Sequence, residues 1–222
     1  MFAFAIWDRR TRTLFCARDR LGIKPFYYFW SRHEFIFASE IKALLEHPSV
    51  SAELEESLLA EHLAYGYASG EQTLFRGIRQ LMPGHTLTLD TAGKLEIQQY
   101  WDVPAPVLPD QRGEQDWMND CRHRLEESVR MRLMSDVPLG MFLSGGVDSS
   151  LIAAIMKPMA AGPVKTFAVG YREAEYSELG FAREAATAIG TEHREVQMGA
   201  DDFFNALPKL IWHEDKPITW PS

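Results

Sequence analysis

The stretch MFLSGGVDSSLIAAIM, residues 141–156, decides the fold, because two glycines, an aspartate and serines separate two apolar runs. Residues 141–143 predict the end of a strand, and residues 151–156 predict a helix. Residues 144–150 are therefore predicted to form the first strand-to-helix turn of a parallel sheet. Ligands of such sheets bind outside the carboxyl ends of the strands. The turn is thus the candidate binding site.

The turn has the composition of a phosphate-binding loop. Gly145 and Gly146 lack a Cβ, so the backbone can adopt positive φ and approach a ligand closely. Ser149 and Ser150 can cap the helix and also offer hydroxyl groups to an anion. The free amides and the dipole at the helix N-terminus favour negative charge there. An ordinary glycine-rich turn with serine caps is the alternative interpretation.

Two well-known phosphate loops do not fit this turn. A Walker loop needs lysine after glycine, whereas Val147 follows the second glycine, and the GxGxxG dinucleotide motif is absent. Asp148 alone would repel a phosphate, but a bound Mg²⁺ that bridges carboxylate and phosphate oxygens removes this repulsion. The sequence therefore predicts a magnesium polyphosphate site held by hydroxyls and amides, with Asp148 facing the metal.

Antiparallel pairing is predicted for residues 1–102, which form the first domain. Strand pairs are predicted at residues 1–7 with 13–18, 25–30 with 34–39, and 84–90 with 94–101. Helices are predicted at residues 40–47, which end before Pro48, and from Leu54 to Tyr65. This part belongs to the α+β class.

A proline-rich linker is predicted at residues 103–113, and the second domain at residues 114–222. Helices are predicted at residues 116–134, at residues 177–190 with Ser177 as N-cap and Gly190 as the stop, and at residues 201–213. Strands are predicted at residues 163–171 and 193–198. This alternation predicts an α/β domain with a parallel sheet and helices on its faces.

Composition limits the classes of partner. The chain has 222 residues, 46% of them apolar, and a net charge of −8 without a block of lysine or arginine. This charge argues against a nucleic-acid or anionic-membrane partner. No stretch approaches the ~20 apolar residues of a membrane span, which predicts a cytoplasmic protein. Cys16 and Cys121 are interpreted as reduced thiols, not as a disulfide or metal pair.

The motifs resemble a known enzyme family. SGGVDSS resembles the pyrophosphate loop of the ATP-pyrophosphatase superfamily, which has an adenine-nucleotide alpha-hydrolase-like fold. MFAFAIWD, ARDRLGIKPFYY and FASEIKALL are similar to the second half of a class II, N-terminal-nucleophile glutaminase. LMSDVPLGMFLSGGVDSSLIAAIM and TFAVGY resemble the synthetase domain of glutamine-hydrolysing asparagine synthetases. The resemblance runs almost from end to end.

The resemblance implies ATP and Mg²⁺ as cofactors and a set of nucleotide-binding residues. The residues implied to hold the β,γ-phosphates and then pyrophosphate are Ser144, Gly145, Gly146, Asp148, Ser149 and Ser150. Leu143 and Val169 match positions that contact the nucleotide, although by chemistry alone both are core strand residues. In the family, ammonia released from glutamine attacks β-aspartyl-AMP, which forms from aspartate and ATP.

The chain also departs from the family pattern. The family nucleophile is an N-terminal cysteine, whereas this chain begins MFAF and Cys16 lies within a predicted strand. The family's glutamine-binding residues and its adenylation lysine are expected outside these residues. Lys216 stands where relatives commonly have an acid before Pro217. We therefore assign no catalytic residue and interpret the chain as a fragment, with no glutaminase activity and at most weak nucleotide binding.

Three hypotheses about function remain open. The first is an asparagine-synthesising amidotransferase, and the second is the same machinery acting on another carboxylate, such as a cell-surface sugar acid or a secondary metabolite. The third is a short nucleotide-binding protein without catalysis. An open, truncated sheet would expose an apolar edge, which predicts self-association of this chain, for example as a homodimer.

Overall fold

The computed structural model describes residues 1–105 and 112–218. The chain falls into two compact units, Met1–Pro106 together with Leu207–Ser222, and Val107–Ala206. The centre of the predicted linker, residues 106–111, lies outside the described residues. Of the helices found in residues 1–105 and 112–218, none combines the length and the apolar character needed to cross a lipid bilayer.

Seven strands form two antiparallel sheets in the first unit. They are β1 (Ala3–Asp8), β2 (Thr13–Arg18), β3 (Tyr27–Trp30), β4 (Phe35–Ala38), β5 (Ile78–Gln80), β6 (His85–Asp90) and β7 (Leu95–Gln99). The sheet orders are β1-β2-β6-β7 and β4-β3-β5. All three predicted hairpins are confirmed. Strand β5 was not predicted, because three residues are too few to show an alternating pattern.

Side-chain alternation in these strands builds the core of the first unit. Cys16, Tyr28 and Leu87 are almost fully buried and belong to one apolar cluster. Helix α1 (Ile41–Leu45) closes a second cluster through Ile41 and Leu44. The α+β class predicted for this part of the chain is confirmed.

The second helix of this unit begins later than predicted. Helix α2 (Leu59–Tyr65) follows a 3₁₀ turn at Glu56–Leu58 and ends at Gly66, whose φ is +80°. The prediction that this helix begins at Leu54 is wrong, because Leu54 forms an antiparallel bridge with Phe75. Pairing with a distant strand segment therefore overrides the local helical pattern at this residue.

The second unit contains a parallel three-stranded sheet. Its strands β8 (Gly140–Phe142), β9 (Lys165–Tyr171) and β10 (Glu192–Met198) lie in the order β10-β9-β8. The accompanying helices are α3 (Glu114–Arg132), α4 (Val147–Met156), α5 (Leu179–Ile189) and α6 (Ala200–Glu214). The last part of α6 belongs to the first unit. The predicted α/β class is confirmed.

Helices α4 and α5 pack on the same face of this sheet. Leu143 packs with Ala153 of α4 and Ala186 of α5, while Ala168 of β9 packs with α5. Side chains alternate along each strand, so Phe142, Val169 and Val196 lie on the opposite face, and all three are exposed. In the part of the chain that the structure describes, these two helices thus cover one face, not both.

The ends of α5 confirm one sequence prediction and correct another. Gly190 ends the helix with φ +76°, and its amide donates to the Ala186 carbonyl at 2.8 Å. The prediction that Ser177 is the N-cap is wrong, since Glu178 occupies that position. The Ser177 hydroxyl instead lies beside Gly170 of β9, where a Cβ would approach it to 2.7 Å.

Candidate functional site

The turn between β8 and α4 is shorter than the sequence predicts. Strand β8 ends at Phe142 and helix α4 begins at Val147, so the turn contains only Leu143, Ser144, Gly145 and Gly146. The N-cap is Gly146, with φ −69° and ψ 163°, and no side chain caps the helix. The prediction that Ser149 and Ser150 are caps is wrong, because both lie inside the first helical turn. Their position still places them at the carboxyl edge of the parallel sheet.

Serine hydroxyls hold the turn in shape. The Oγ atoms of Ser144 and Ser149 lie 3.1 Å apart, and the Gly146 amide donates to Ser144 Oγ at 3.3 Å. Ser149 Oγ also contacts the Gly146 carbonyl at 3.3 Å. The first amides of α4 have no acceptor within the helix and are available to a ligand. The turn is therefore organised around hydroxyls and free backbone N–H groups, which are suited to an anion.

The two glycines of the turn differ in backbone conformation and in the atoms that a Cβ would contact. Gly145 has φ +82°, and a Cβ at this residue would lie 2.6 Å from the Ala182 nitrogen and overlap Phe181 of α5. Gly146 has an ordinary negative φ, and a Cβ there would meet only Ser144 Oγ at 3.4 Å. Positive φ, which we predict for both glycines, is thus found at Gly145 alone. The sequence did not reveal the contact with α5.

Leu143 and Val169 lie on neighbouring strands but differ in accessibility. Leu143 is 1% exposed, and its amide donates to the Phe167 carbonyl at 2.8 Å. Val169 is 51% exposed and pairs with Val196. A ligand at this edge can therefore touch the Val169 side chain, whereas Leu143 offers only its main chain.

The acidic residue of the loop is well placed to face a cation. Asp148 is exposed in the first turn of α4 and has no ion-pair partner within residues 1–105 and 112–218. No group of three or more His, Cys, Asp or Glu side chains forms a metal cage in those residues. A single carboxylate suits a cation that also binds phosphate and water.

Ser150 differs from the other loop serines, because its Oγ is buried without a hydrogen-bond partner.

Cys16 has the properties of a core residue. It lies in β2, as predicted, and is 0% exposed. Burial raises the pKa of its thiol to about 12, so the reactive thiolate is essentially absent at neutral pH. Cys121, by contrast, is exposed on α3. Cys16 therefore lacks the environment of an activated nucleophile.

Asp19 organises the loop within ARDRLGIKP, and the sequence did not single it out. The residue is 6% exposed. Its carboxylate accepts backbone N–H groups from Phe2, Leu21, Ile23 and Lys24 at 3.0–3.2 Å. Burial raises the pKa of Asp19, but these four hydrogen bonds outweigh burial and lower the pKa to about 2. The carboxylate therefore stays ionised and holds the loop closed.

Comparison with known proteins agrees with both halves of the structure. The glutamine amidotransferase domain matches residues 1–101, and asparagine synthase matches residues 120–222. The glutamine-hydrolysing asparagine synthetase 1 of Bacillus subtilis is 34% identical over 222 residues, covering 100% of this chain and 34% of that protein. The chain belongs to the glutamine-hydrolysing asparagine synthetase family.

Other members and relatives of the asparagine synthetase family show similar matches. Asparagine synthetase 3 of Bacillus subtilis is 34% identical and covers 98% of this chain and 37% of that protein. Amidase chyE of Penicillium rubens is 30% identical and covers 98% of this chain and 34% of that protein. The chain spans about a third of the length of these curated relatives.

Proposed function

We propose that residues 144–150 bind Mg·ATP in a glutamine-dependent amidotransferase. The observation that carries this proposal is the Ser144–Gly146 turn, which places free amides and two linked hydroxyls at the carboxyl edge of a parallel sheet. Family membership supplies the chemistry for which such a turn would be used. Residues 1–102 would form part of the glutaminase domain, residues 103–113 the linker, and residues 114–222 part of the synthetase domain.

The phosphates would be held by the turn and the first turn of α4. Ser144, Gly145, Gly146 and Ser149 would surround the β,γ-phosphates with hydroxyl and amide donors. Ser150 would support the loop from behind, because its amide donates to the Gly146 carbonyl at 3.1 Å and its hydroxyl is buried. The nucleotide would then extend along the sheet edge, with the Val169 side chain and the Leu143 main chain beside the adenine.

A bound Mg²⁺ would offset the repulsion between the negative charges of Asp148 and the phosphates. The exposed carboxylate is the acidic side chain in the first turn of α4. Mg²⁺ usually keeps several waters and binds through one or two carboxylates together with substrate phosphates, which fits a single acid. When bound, the ion would draw charge from the departing pyrophosphate. The loop itself would orient the nucleotide and hold pyrophosphate after its release.

The reaction proposed for a protein of the relatives' length is amidation of a carboxylate. A carboxylate oxygen attacks the α-phosphorus of ATP, the bond to the β-phosphate breaks, and pyrophosphate leaves. Ammonia released from glutamine then attacks the acyl carbon, and AMP leaves with the bonding electron pair. Holding the acyl-adenylate dry and close to ammonia removes the entropy cost of a bimolecular step. With aspartate as the carboxylate, the product is asparagine.

A second candidate uses the same machinery on another carboxylate. The observation that favours it is the 30% identity to a protein named an amidase, a level close to the 34% identity to the asparagine synthetases. The described residues include the proposed phosphate loop but no side chain that we can assign to aspartate. A nucleotide-binding chain without catalysis is the third candidate.

Two measurements test the proposal, one for nucleotide binding by the loop and one for the identity of the carboxylate substrate. Calorimetric titration of the 222-residue chain with Mg·ATP tests the loop, and pyrophosphate should compete for the same site. Carboxylate-dependent ATP–pyrophosphate exchange by the natural gene product that contains these residues tests the substrate. Exchange that depends on aspartate supports asparagine synthesis, and exchange that depends on another carboxylate supports the second candidate. Because weak binding is expected of this chain, the titration must reach nucleotide concentrations at which weak binding is detected, and absence of Mg·ATP binding there would overturn the proposal at its first step.

A further inference from the structure

An ion pair joins helix α5 to β10, the strand at one edge of the parallel sheet. Arg183 Nε donates to Glu195 Oε1 at 3.0 Å, and Arg183 Nη2 donates to Glu195 Oε2 at 2.7 Å. Two parallel hydrogen bonds of this kind fix the direction of the side chains as well as their distance. The bonds from Arg183 lower the pKa of Glu195, so its carboxylate stays ionised at neutral pH. No step of the proposed reaction uses this pair.

The carboxylate end of the pair lies against the interior of the second unit. Glu195 pairs across the strands with Ala168, which packs with α5, so Glu195 lies on the side of the sheet that carries α5. His193 Nε2 lies 3.5 Å from Glu195 Oε1, a contact and not a hydrogen bond. The Nδ1 atom of His193 lies 2.9 Å from the hydroxyl of Thr166, which is 0% exposed. These packed neighbours limit how far the Glu195 carboxylate can move toward the sheet.

The start of α5 depends on tertiary contacts for its order. In the part of the chain that the structure describes, no side chain caps this helix at Glu178. Gly180 is the second residue of α5, and glycine weakens a helix because it loses more backbone freedom on folding than any other residue. Leu179 and Ala182 are buried against the sheet, and Arg183 ties the helix to β10 at the next residue. The ion pair therefore helps to fix the first turn of α5.

This first turn of α5 also touches the proposed phosphate loop, residues 144–150. A Cβ on Gly145 would lie 2.3 Å from the Phe181 carbonyl carbon and 2.6 Å from the Ala182 nitrogen, so the two backbones are in contact. Arg183 is the residue that follows this contact. Close-packed interiors transmit displacements, since they contain little free space to absorb them. A shift of the start of α5 would therefore move the loop as well.

We propose that Arg183 and Glu195 are positioning residues of the phosphate loop, which they hold in shape by fixing the start of α5 against Gly145. This inference rests on the function proposed above for residues 144–150. The pair itself would touch neither the nucleotide nor the metal. It would act on the loop through the backbone of Phe181 and Ala182. The loop would then be ordered before a ligand arrives, which lowers the entropy cost of binding.

Amide hydrogen exchange of the ligand-free chain tests the link between the pair and the loop. In Arg183→Met and in Glu195→Gln, a peptide covering residues 143–148 should exchange about fivefold faster than in the natural chain. Arg124→Met is the matched control, because Arg124 forms an ion pair with Asp120 on α3 at similar exposure. It should leave exchange at the loop unchanged. Unchanged exchange in Arg183→Met and Glu195→Gln would overturn the proposal.

Calorimetric titration with Mg·pyrophosphate and with Mg·ATP tests the consequence for binding. Arg183→Met and Glu195→Gln should each lower both affinities about fivefold, as found for residues that act through packed neighbours. The double variant should bind no more weakly than either single variant, because both changes break one pair. If Arg183 bound phosphate directly, Glu195→Gln would free the guanidinium and leave the affinity unchanged or raised. That result would contradict a positioning role.

A stiffer start of α5 should replace the ion pair. A Cβ on Gly180 would meet no atom within 4 Å outside the backbone of its own helix, so Gly180→Ala should be tolerated and should strengthen the first turn. Combined with Arg183→Met, it should restore at least half of the lost affinity and slow exchange at the loop. Absence of any recovery would show that Arg183 does not act through α5 and would overturn the proposal.

The two kinds of measurement separate this inference from the proposed function. If the natural chain binds neither Mg·pyrophosphate nor Mg·ATP, the function proposed for residues 144–150 is wrong. The exchange rates of the ligand-free variants still decide whether the ion pair holds the loop, because they require no bound ligand.

Discussion

Gly145 and Ala182 are in backbone contact, so close that a Cβ on Gly145 would lie 2.6 Å from the Ala182 nitrogen. Ala182 is 0% exposed and packs with Ala168 and Leu179 in the interface between α5 and the sheet. The contact ties the turn ahead of α4 to the first part of α5. The shape of the proposed phosphate site thus depends on a second helix as well as on its own residues.

Substitutions of the two loop glycines by alanine should have unequal effects. Gly145→Ala forces an L-residue into φ +82° and into the α5 backbone, which should cost about 1–3 kcal/mol of unfolding free energy and abolish Mg·ATP binding. Gly146 has an ordinary φ and a Cβ there makes a tolerable contact, so Gly146→Ala should lose less than about 1 kcal/mol of unfolding free energy. Urea unfolding and calorimetry measure both effects. Equal losses in the two variants would contradict the assigned role of the α5 contact.

Asp148→Asn should make nucleotide binding insensitive to magnesium. Without the carboxylate, affinity for Mg·ATP should fall at least tenfold, while affinity for ATP in EDTA should hold or rise because a repulsive charge is gone. Stability should fall by less than about 1 kcal/mol, the value of an acid at a helix N-terminus. Asp136→Asn, an exposed aspartate in the same unit, is the matched control. Unchanged magnesium dependence in Asp148→Asn would remove the proposed role of this residue.

Asp19 should make the stability of the chain depend on acid pH. Its folded pKa of about 2 lies below the ordinary value of 3.8, so its contribution is complete above about pH 5 and is lost as pH falls toward 2. A shift of this size corresponds to about 2 kcal/mol. The unfolding free energies of the natural chain and of Asp19→Asn, measured in urea, should therefore differ most at pH 7 and converge near pH 2.

The control for this prediction is again Asp136→Asn, whose side chain is exposed. It should follow the natural chain closely at every pH. A gap between Asp19→Asn and the natural chain that persists unchanged at pH 2 would show that the residue acts by packing and not through its charge.

The two cysteines should react with Ellman's reagent at very different rates. Cys121 is exposed and should react within minutes, whereas Cys16 is fully buried and its pKa is raised to about 12. One thiol per chain should therefore react in the folded protein and two after denaturation in guanidinium. Cys121→Ser should remove the fast reaction. Rapid labelling of Cys16 in the folded chain would contradict the structure of β2 and its surroundings.

Periodicity and motif composition were enough to predict most of the fold. The hairpins, the parallel sheet and the loop at residues 144–150 all follow from local patterns, because strand alternation and glycine–serine composition are local signals. Contacts between distant residues leave no such signal. Three contacts join segments that lie far apart in the sequence and that no local pattern connects. They are the Leu54–Phe75 bridge, the Gly145–Ala182 contact and the pairing of Lys42 with Asp215.

The same limit applies to the candidate site. Its serines, glycines and aspartate were identified from composition, but the start of α4 at Val147 was not, because Asp148 and the two serines also favour turns. The sequence assigned the same role to Leu143 and Val169, but their side chains differ in burial. Leu143 is enclosed by α4 and α5 while Val169 is exposed, although both were predicted as strand residues that contact a nucleotide.

Competition between Mg·ATP and pyrophosphate for the 222-residue chain tests the central claim most directly. A fluorescent ATP analogue would be bound in magnesium and displaced with pyrophosphate or with adenosine, for the natural chain, Gly145→Ala and Gly146→Ala. We expect pyrophosphate to displace the analogue more effectively than adenosine, the natural chain and Gly146→Ala to bind it, and Gly145→Ala not to bind it. Failure of the natural chain to bind, or a bound nucleotide that pyrophosphate does not displace, would contradict the assignment of residues 144–150 as a phosphate site.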